Sequence, residues 1–385
     1  MKNFNLCAAA VALLTLVSCA KENEVSSATP DNGEKMAVTL KMASPADSRS
    51  IEAPAGADKV VVSSGTVFFL NATNDVLDVG NLTAMAATPA GQLFPGISKS
   101  ATQVFIVANS GILLPSELSA LKACATKDGV QNLTALITSQ QNTHLNVIAV
   151  NTIDTSTPYV KYDGIIRAQA APSTTFEALV LLAPVLSRIQ FADILTTDPN
   201  IVSFKLASIN IDGYYPSFYM AFDKGGSGTP FTVNQDGAAL NLSPYKLYDK
   251  PTAPVADGGD KKITAAEAKG ASGNLVWGYQ TSPTIAANSA KIPRIIVELT
   301  DVVIKNPTGG TDITLPKKKY LTITGYMAGA TPVANFEAGK VYNIPAGQFT
   351  FTFQDLDDVP NPLKQDVMVT VEVKPWAIVG VTPQL

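Results

Sequence analysis

The stretch from Met36 to Ser50, MAVTLKMASPADSRS, sets the strongest constraint on the fold. Val38, Leu40 and Met42 fall on one side of an extended chain, and Thr39, Lys41 and Ala43 on the other. That period of two predicts a half-buried strand. Ser44, Pro45, Asp47 and Ser48 then resist regular structure and keep the following linker exposed. Arg49 ends that linker, one of four arginines in the chain, and Arg167, Arg188 and Arg294 lie in or beside apolar runs. A strand that needs a core is therefore joined to the rest by a loop with one good trypsin-like cleavage point, between Arg49 and Ser50. The same pattern also fits an ordinary edge strand with a polar loop after it.

The 385 residues are enough for two domains with real cores. Low charge, 16%, with much Val, Thr, Ala and Ile predicts extensive sheet. A net charge of -4 gives no basis for binding nucleic acid or an anionic membrane surface. The 25 prolines and 26 glycines are spread along the chain, as short strands joined by turns require.

The first residues read as a targeting segment. Lys2 is followed by an apolar run, Leu6 to Val17, and then by Leu16-Val17-Ser18-Cys19, which resembles a bacterial lipobox. A lipoprotein peptidase would cut before Cys19 and leave it acylated, giving membrane attachment without a spanning helix. The other reading is a plain secretory signal with a chance cysteine. Ala20 to Lys35 is a polar tether. With Cys7 lost in the leader and Cys19 lipidated, Cys124 is alone; it reads as a small core residue, and no intrachain disulfide is expected.

Along the body, strand patterns follow one another. Lys59 to Asn71 is strand-rich, with a hairpin turn in Asn71 to Asp78. Ala101 to Asn109, with the run TQVFIVAN, is apolar on both faces and reads as a central strand that Asn109-Ser110-Gly111 ends. Pro115 to Ala125 is the best helix, with Ser116 as its cap, and Asn132 to Ser139 fits a second short one. After Ala183-Pro184 a new alternating series starts at Val185, which places a domain change there. Asp249 to Gly273, rich in Gly, Pro, Ala and Lys, reads as a long surface excursion between strands.

The chain closes with DVMVTVEVKPWAIVGVTPQL. Val367, Val369, Val371 and Val373 face one way, and Pro375 interrupts before Trp376 and Ile378. At roughly 3.3 Å per residue, Asp366 to Val381 would extend about 50 Å. The segment either closes its own sheet or leaves the domain as a donor strand.

Several chemistries lack their signatures. His144, the only histidine, has no nucleophile motif near it. There is no CxxC pair, HExxH, P-loop or GxGxxG. Asp355, Asp357 and Asp358 lack the spacing of a calcium loop and read as a solvated turn. No enzyme, metal or cofactor is expected.

Taken together, the lipobox, VTLKMASPADSR, QVFIVANSG, APVLSRIQF (Ala183 to Phe191) and MVTVEVKPWAIVG (Met368 to Gly380) resemble the fimbrillins of type V pili, most of all their major shaft subunit. The resemblance runs end to end but is most specific at the termini. It implies an all-β chain with minor helices, two transthyretin-like β-sandwich domains in tandem, residues 50–182 and 183–385. It implies a signal peptide at 1–18 and a lipidated tether and N-terminal strand at 19–49, removed by an arginine-specific protease. Polymerisation would follow by strand exchange, head to tail, with Val367, Val369, Val371, Val373, Trp376 and Ile378 as donor strand in the place of Val38, Leu40 and Met42. Tip and anchor subunits would be the other partners. The precursor would sit on the outer membrane and the mature protein in a surface fimbrium serving adhesion and biofilm formation. A monomeric surface lipoprotein that binds glycan or a host protein is the alternative.

Overall fold

The structure is a computed structural model and describes residues 33–43, 59–83, 90–138, 147–153, 161–169, 175–222, 224–232, 245, 247–270, 275–284, 292–360, 368–375 and 377–379. The expected all-β chain with minor helices is what forms. In its first half the strands are β1 (Lys35–Ala43), β2 (Lys59–Val61), β3 (Ser64–Leu70), β4 (Val76–Thr83), β5 (Gln92–Ser98), β6 (Gln103–Ala108), β7 (Thr134–Leu136), β8 (Ala149–Thr152), β9 (Asp163–Ala168) and β10 (Thr175–Pro184). Two short helices, α1 (Pro115–Lys122) and α2 (Lys127–Asn132), precede β7.

Eight of these strands make one sheet in the order β4-β3-β6-β8-β10-β1-β5, with β9 end to end with β8 between β6 and β10. Its two outer strands are tied to each other by side chains. The Gln92 amide accepts from the Thr83 N–H at 2.8 Å and donates to the Asn81 carbonyl at 2.9 Å. The Ser98 N–H donates to Asp78 at 2.8 Å, and Phe69 meets Phe94 edge to face at 5.3 Å. The curled sheet encloses a core drawn from Met36 to Leu186, joined by Phe218, Met220 and Val341. As its apolar run predicts, β6 is central, and Val104 to Ala108 are all buried.

The second half carries β11 (Ser187–Phe191), β12 (Asp193–Thr196), β13 (Ile201–Asp212), β14 (Ser217–Tyr219), β15 (Gly226–Ser227), β16 (Tyr248–Asp249), β17 (Val255–Ala256), β18 (Lys262–Thr264), β19 (Trp277–Thr281), β20 (Arg294–Ile304), β21 (Ile313–Thr314), β22 (Lys319–Ile323), β23 (Gly325–Ala328), β24 (Thr331–Pro332), β25 (Lys340–Ile344), β26 (Thr350–Phe351), β27 (Met368–Thr370), β28 (Glu372–Pro375) and β29 (Ala377–Val379). The sheets β16-β13-β20-β21, with β22 also on β20, and β19-β11-β25-β28 cover a second core. Phe191, Trp277, Phe336, Tyr342 and Tyr326 fill it, Phe336 stacked on Tyr342 at 4.0 Å. Burial holds the Tyr326 hydroxyl far above the ordinary tyrosine range, and it donates to the Pro293 carbonyl at 2.8 Å.

The core changes between Leu186 and Ile189, a few residues past the expected division, which cuts β10. The helices also differ from expectation. Pro115 opens α1, and Glu117 rather than Ser116 caps it, accepting from the Leu114 N–H at 2.9 Å. Within the segment expected as a second helix, Asn132 to Ser139, Asn132 ends α2 and Thr134–Leu136 form strand β7, because they pair with β14 far along the chain; Ser139 lies outside the described residues. Asp249 to Gly273 is not a plain excursion: β18 pairs with β12, and Ile263 and Ala265 are fully buried.

Asn109 fixes how β2 joins this frame. It is fully buried with a φ of 59°. Its amide donates to the Val61 and Val147 carbonyls, both at 2.9 Å, and its side-chain oxygen accepts from the Ser63 N–H at 3.0 Å. Asn is among the few non-glycine residues that tolerate this backbone region. Asn109→Ala removes three hydrogen bonds, one buried and two partly buried, and puts alanine at a positive φ; it is expected to destabilise by about 2–4 kcal/mol, read as a lowered urea midpoint at unchanged slope.

Candidate functional site

Strand β1 lies inside the first sheet, not at its edge. It pairs in parallel with β10, from Ala37 opposite Thr175 to Ala43 opposite Leu181. On its other edge it pairs antiparallel with β5, from Lys35 opposite Ser98 to Leu40 opposite Gln92. It is the one parallel neighbour in this sheet, and nothing between Ala43 and Lys59 is among the described residues.

Its inner face is the predicted one. Val38 and Leu40 are fully buried, Met42 and Met36 nearly so, while Thr39 and Lys41 are half-buried on the other face. Burial of these four side chains contributes about 6–12 kcal/mol gross, at about 1.5–3 kcal/mol each. Gly91, with a φ of 72°, lets the β4–β5 connection close on the strand: a Cβ there would stand 2.5 Å from the Leu40 carbonyl oxygen. On the outer face Lys41 meets Glu177 at 3.4 Å, and Glu177 also accepts from Gln169 at 2.7 Å. Nearby on β9, burial raises the Asp163 carboxyl, but hydrogen bonds from Arg167 and the Ile165 N–H outweigh it and leave the group below the ordinary carboxylate range.

The tail is not one continuous strand. β27 pairs in parallel with β23, β28 antiparallel with β25, and β29 in parallel with β2. Val369 and Val371 are buried in the second core, as the alternation predicts. Val373 is 40% exposed, contrary to it. The reason is a change of sheet at Val371, whose N–H donates to the Met327 carbonyl at 2.8 Å before the chain crosses to β25. In this chain the tail closes its own sheets. The backbone of Ile378 pairs opposite Val60.

Cys19, Arg49, Ser50, Val367, Trp376 and His144 lie outside the described residues. Cys124 is buried, its thiol donating to the Ala120 carbonyl at 3.4 Å. The three aspartates do not converge. Asp355 accepts from the Thr352 N–H and hydroxyl at 2.7 and 2.8 Å, Asp357 is bound to Tyr320 through its backbone, and Asp358 pairs with Lys319 and Lys317. The Lys319 hydrogen bond holds Asp358 below the ordinary carboxylate range. Among the described residues no group of three or more metal-ligating side chains could hold an ion.

No protein-family model and no curated protein sequence matches this chain. Solved structures do. A candidate cell adhesion protein from Parabacteroides distasonis superimposes with a TM-score of 0.54 at 14% identity, covering 91% of this chain and 99% of that one. A candidate cell adhesion protein from Bacteroides eggerthii gives 0.51 at 13% identity, over 90% and 97%. A fimbrilin from Porphyromonas gingivalis scores 0.49 at 16% identity over 89% of this chain and 98% of its own, too low to argue from. The fold of this chain is thus the fold of these two candidate cell adhesion proteins.

Leu40→Ala is expected to destabilise the intact chain by about 2–5 kcal/mol, through lost burial and the cavity left behind. Thr39→Ala, on the other face of the same strand, should stay within about 0.5 kcal/mol. Urea denaturation of both variants reads the difference; equal effects would contradict the one-sided burial of β1.

Proposed function

We propose that this chain is a structural pilin subunit, a shaft component of a surface fimbrium that serves adhesion, and not an enzyme. In this reading it is exported as a lipoprotein acylated on Cys19 and held on the outer membrane. An arginine-specific protease cuts after Arg49, leaving Ser50 as the new N-terminus. β1 then departs, and the tail of a second copy takes its place, with Val369 and Val371 among the residues inserted. The chain partners itself head to tail, and tip and anchor subunits end the filament.

One observation carries the reading: the buried strand β1 completes the sheet from both edges, yet the linker at its end holds the exposed-type sequence PADSR. Removing β1 exposes two rows of backbone donors and acceptors along an apolar slot, which only another strand can satisfy. A contact of this kind does not close on itself, so it propagates. The fold shared with cell adhesion proteins supports the surface role.

The tail gives the alternative its own support. With Val369 and Val371 already buried at home, a self-contained surface lipoprotein that binds glycan or a host protein fits the same chain. Arg49→Ala separates the two. It should leave a folded, lipidated protein and abolish filaments in electron micrographs of expressing cells, with no Ser50 N-terminus by sequencing. Normal filaments would rule out this cut site.

Deletion of Asp366 to Leu385 addresses the tail. Under strand exchange the shortened chain, cut at Arg49, accepts a donor but supplies none, so it shortens filaments when mixed with the intact subunit. Loss of the protein by misfolding, with no effect on filament length, would instead mark the tail as purely intradomain.

A further inference from the structure

The two cores trade elements at their junction. β7 belongs to the first half by sequence, but it is the third strand of a small sheet with β14 and β15 of the second half. Leu136, Ala135 and Thr134 stand opposite Ser217, Phe218 and Tyr219. The pairing extends past the strands: Ile137 N–H donates to the Pro216 carbonyl at 2.9 Å, and Met220 N–H to the Leu133 carbonyl at 3.0 Å.

Side chains cross with the backbone. Ile137, from the first half, is fully buried in the second core. Phe218 and Met220, from the second half, are fully buried in the first, and Val341 of β25 joins them there. The far edge of β7 is held by α1, where Glu117 accepts from the Leu136 N–H at 2.8 Å while its other oxygen caps the helix. Lys224 reaches across to Asn132 and stands over the Tyr219 ring.

We infer that the β7–β14 pairing, with Ile137 and Phe218 exchanged between the cores, is a mechanical coupling that makes the two halves unfold as one unit and carries tension between them. Neither core is complete without a residue from the other half, so neither can open alone without exposing apolar surface in both. The need for such a device follows from the strand-exchange reading, on which the tension role rests: the receiving slot lies on β1's sheet, the donating tail leaves the second half through β27 on β23 and β28 on β25, and a pull along a filament crosses the junction. The coupled unfolding itself does not depend on that reading.

Scanning calorimetry of the full chain tests the coupling. The intact protein should melt in one transition, with calorimetric and van't Hoff enthalpies in a ratio of about one. Ile137→Ala combined with Phe218→Ala should split the trace, with the ratio rising to about two. Glu117→Ala, which changes a half-buried side chain outside both cores and leaves both cores filled, should raise the ratio above one in the same direction even if the double variant fails to fold. Two transitions in the intact protein, or a ratio unchanged by Glu117→Ala, would overturn the inference. Pulling single chains by their ends tests the load. One unfolding step is expected for the intact chain and two for Glu117→Ala, the first at lower force; two steps in the intact chain would refute load sharing. Absence of filaments in a chain that melts and unfolds in one step would remove strand exchange and leave the coupling standing.

Discussion

Strand β1 is hydrogen-bonded along both edges and buried along one face, and the first core is built around it. β10 and β5 do not touch each other across its place; each meets β1 instead. On the far side β5 is tied by side chains to β4 through Gln92 and Asp78, and to β3 through Phe94 against Phe69, while only β1 joins β5 to the backbone ladder of the sheet. Remove it, and four apolar positions and two ladders of backbone groups are left without partners at once. The parallel register against β10, in a sheet otherwise antiparallel, is what a segment inserted from outside the local hairpin order looks like, because adjacent antiparallel strands follow from tight turns and this one does not.

That part of the fold was legible in the sequence because its signal is local. Val38, Leu40 and Met42 alternate within five residues, and Val104 to Ala108 are unbroken, so neither reading needs knowledge of a partner. Where the structure departs from the sequence pattern, the deciding contact is distant. Asn132 to Ser139 has helix-compatible composition, but its Ala135 is opposite Phe218, and pairing with β14 overrides propensity. The stretch from Asp249 to Gly273 looks solvated because its apolar residues are isolated, yet Ile263 enters the second core through pairing with β12. The alternation of the tail predicts one face for Val373, and a sheet change two residues earlier reverses it. Asn109 carried a signal of a different kind: Asn-Ser-Gly marks the end of a strand, but nothing local shows that its amide would bind β2.

The candidate site was legible to the same degree. The inner face of β1 was readable residue by residue, as were Val369 and Val371 as buried positions. What no pattern could supply is that the tail is divided among three sheets, or that the two cores exchange Ile137 for Phe218. Both are consequences of topology, and topology is set by which edges remain open once the strongly patterned strands have paired.

Those edges also bear on how a donor strand would leave its own domain. Among the described residues β27 is bonded only to β23, β28 only to β25 and β29 only to β2, so each tail segment is held along one edge. At home two tail valines are buried and Val373 is 40% exposed. The slot left by β1 offers two edges and four apolar positions. On the strand-exchange reading a tail segment that moves from the first setting to the second roughly doubles its backbone pairing and buries one or two more side chains, each contributing about 1.5–3 kcal/mol. The direction of exchange then follows without any input of energy, provided the slot is empty. The rate does not. Three separate one-edge contacts must open before the new ones form, and the exposed tail meanwhile loses both settings. On the same reading, such a chain would hold its tail at home while β1 fills the slot and give it up once cleavage empties the slot.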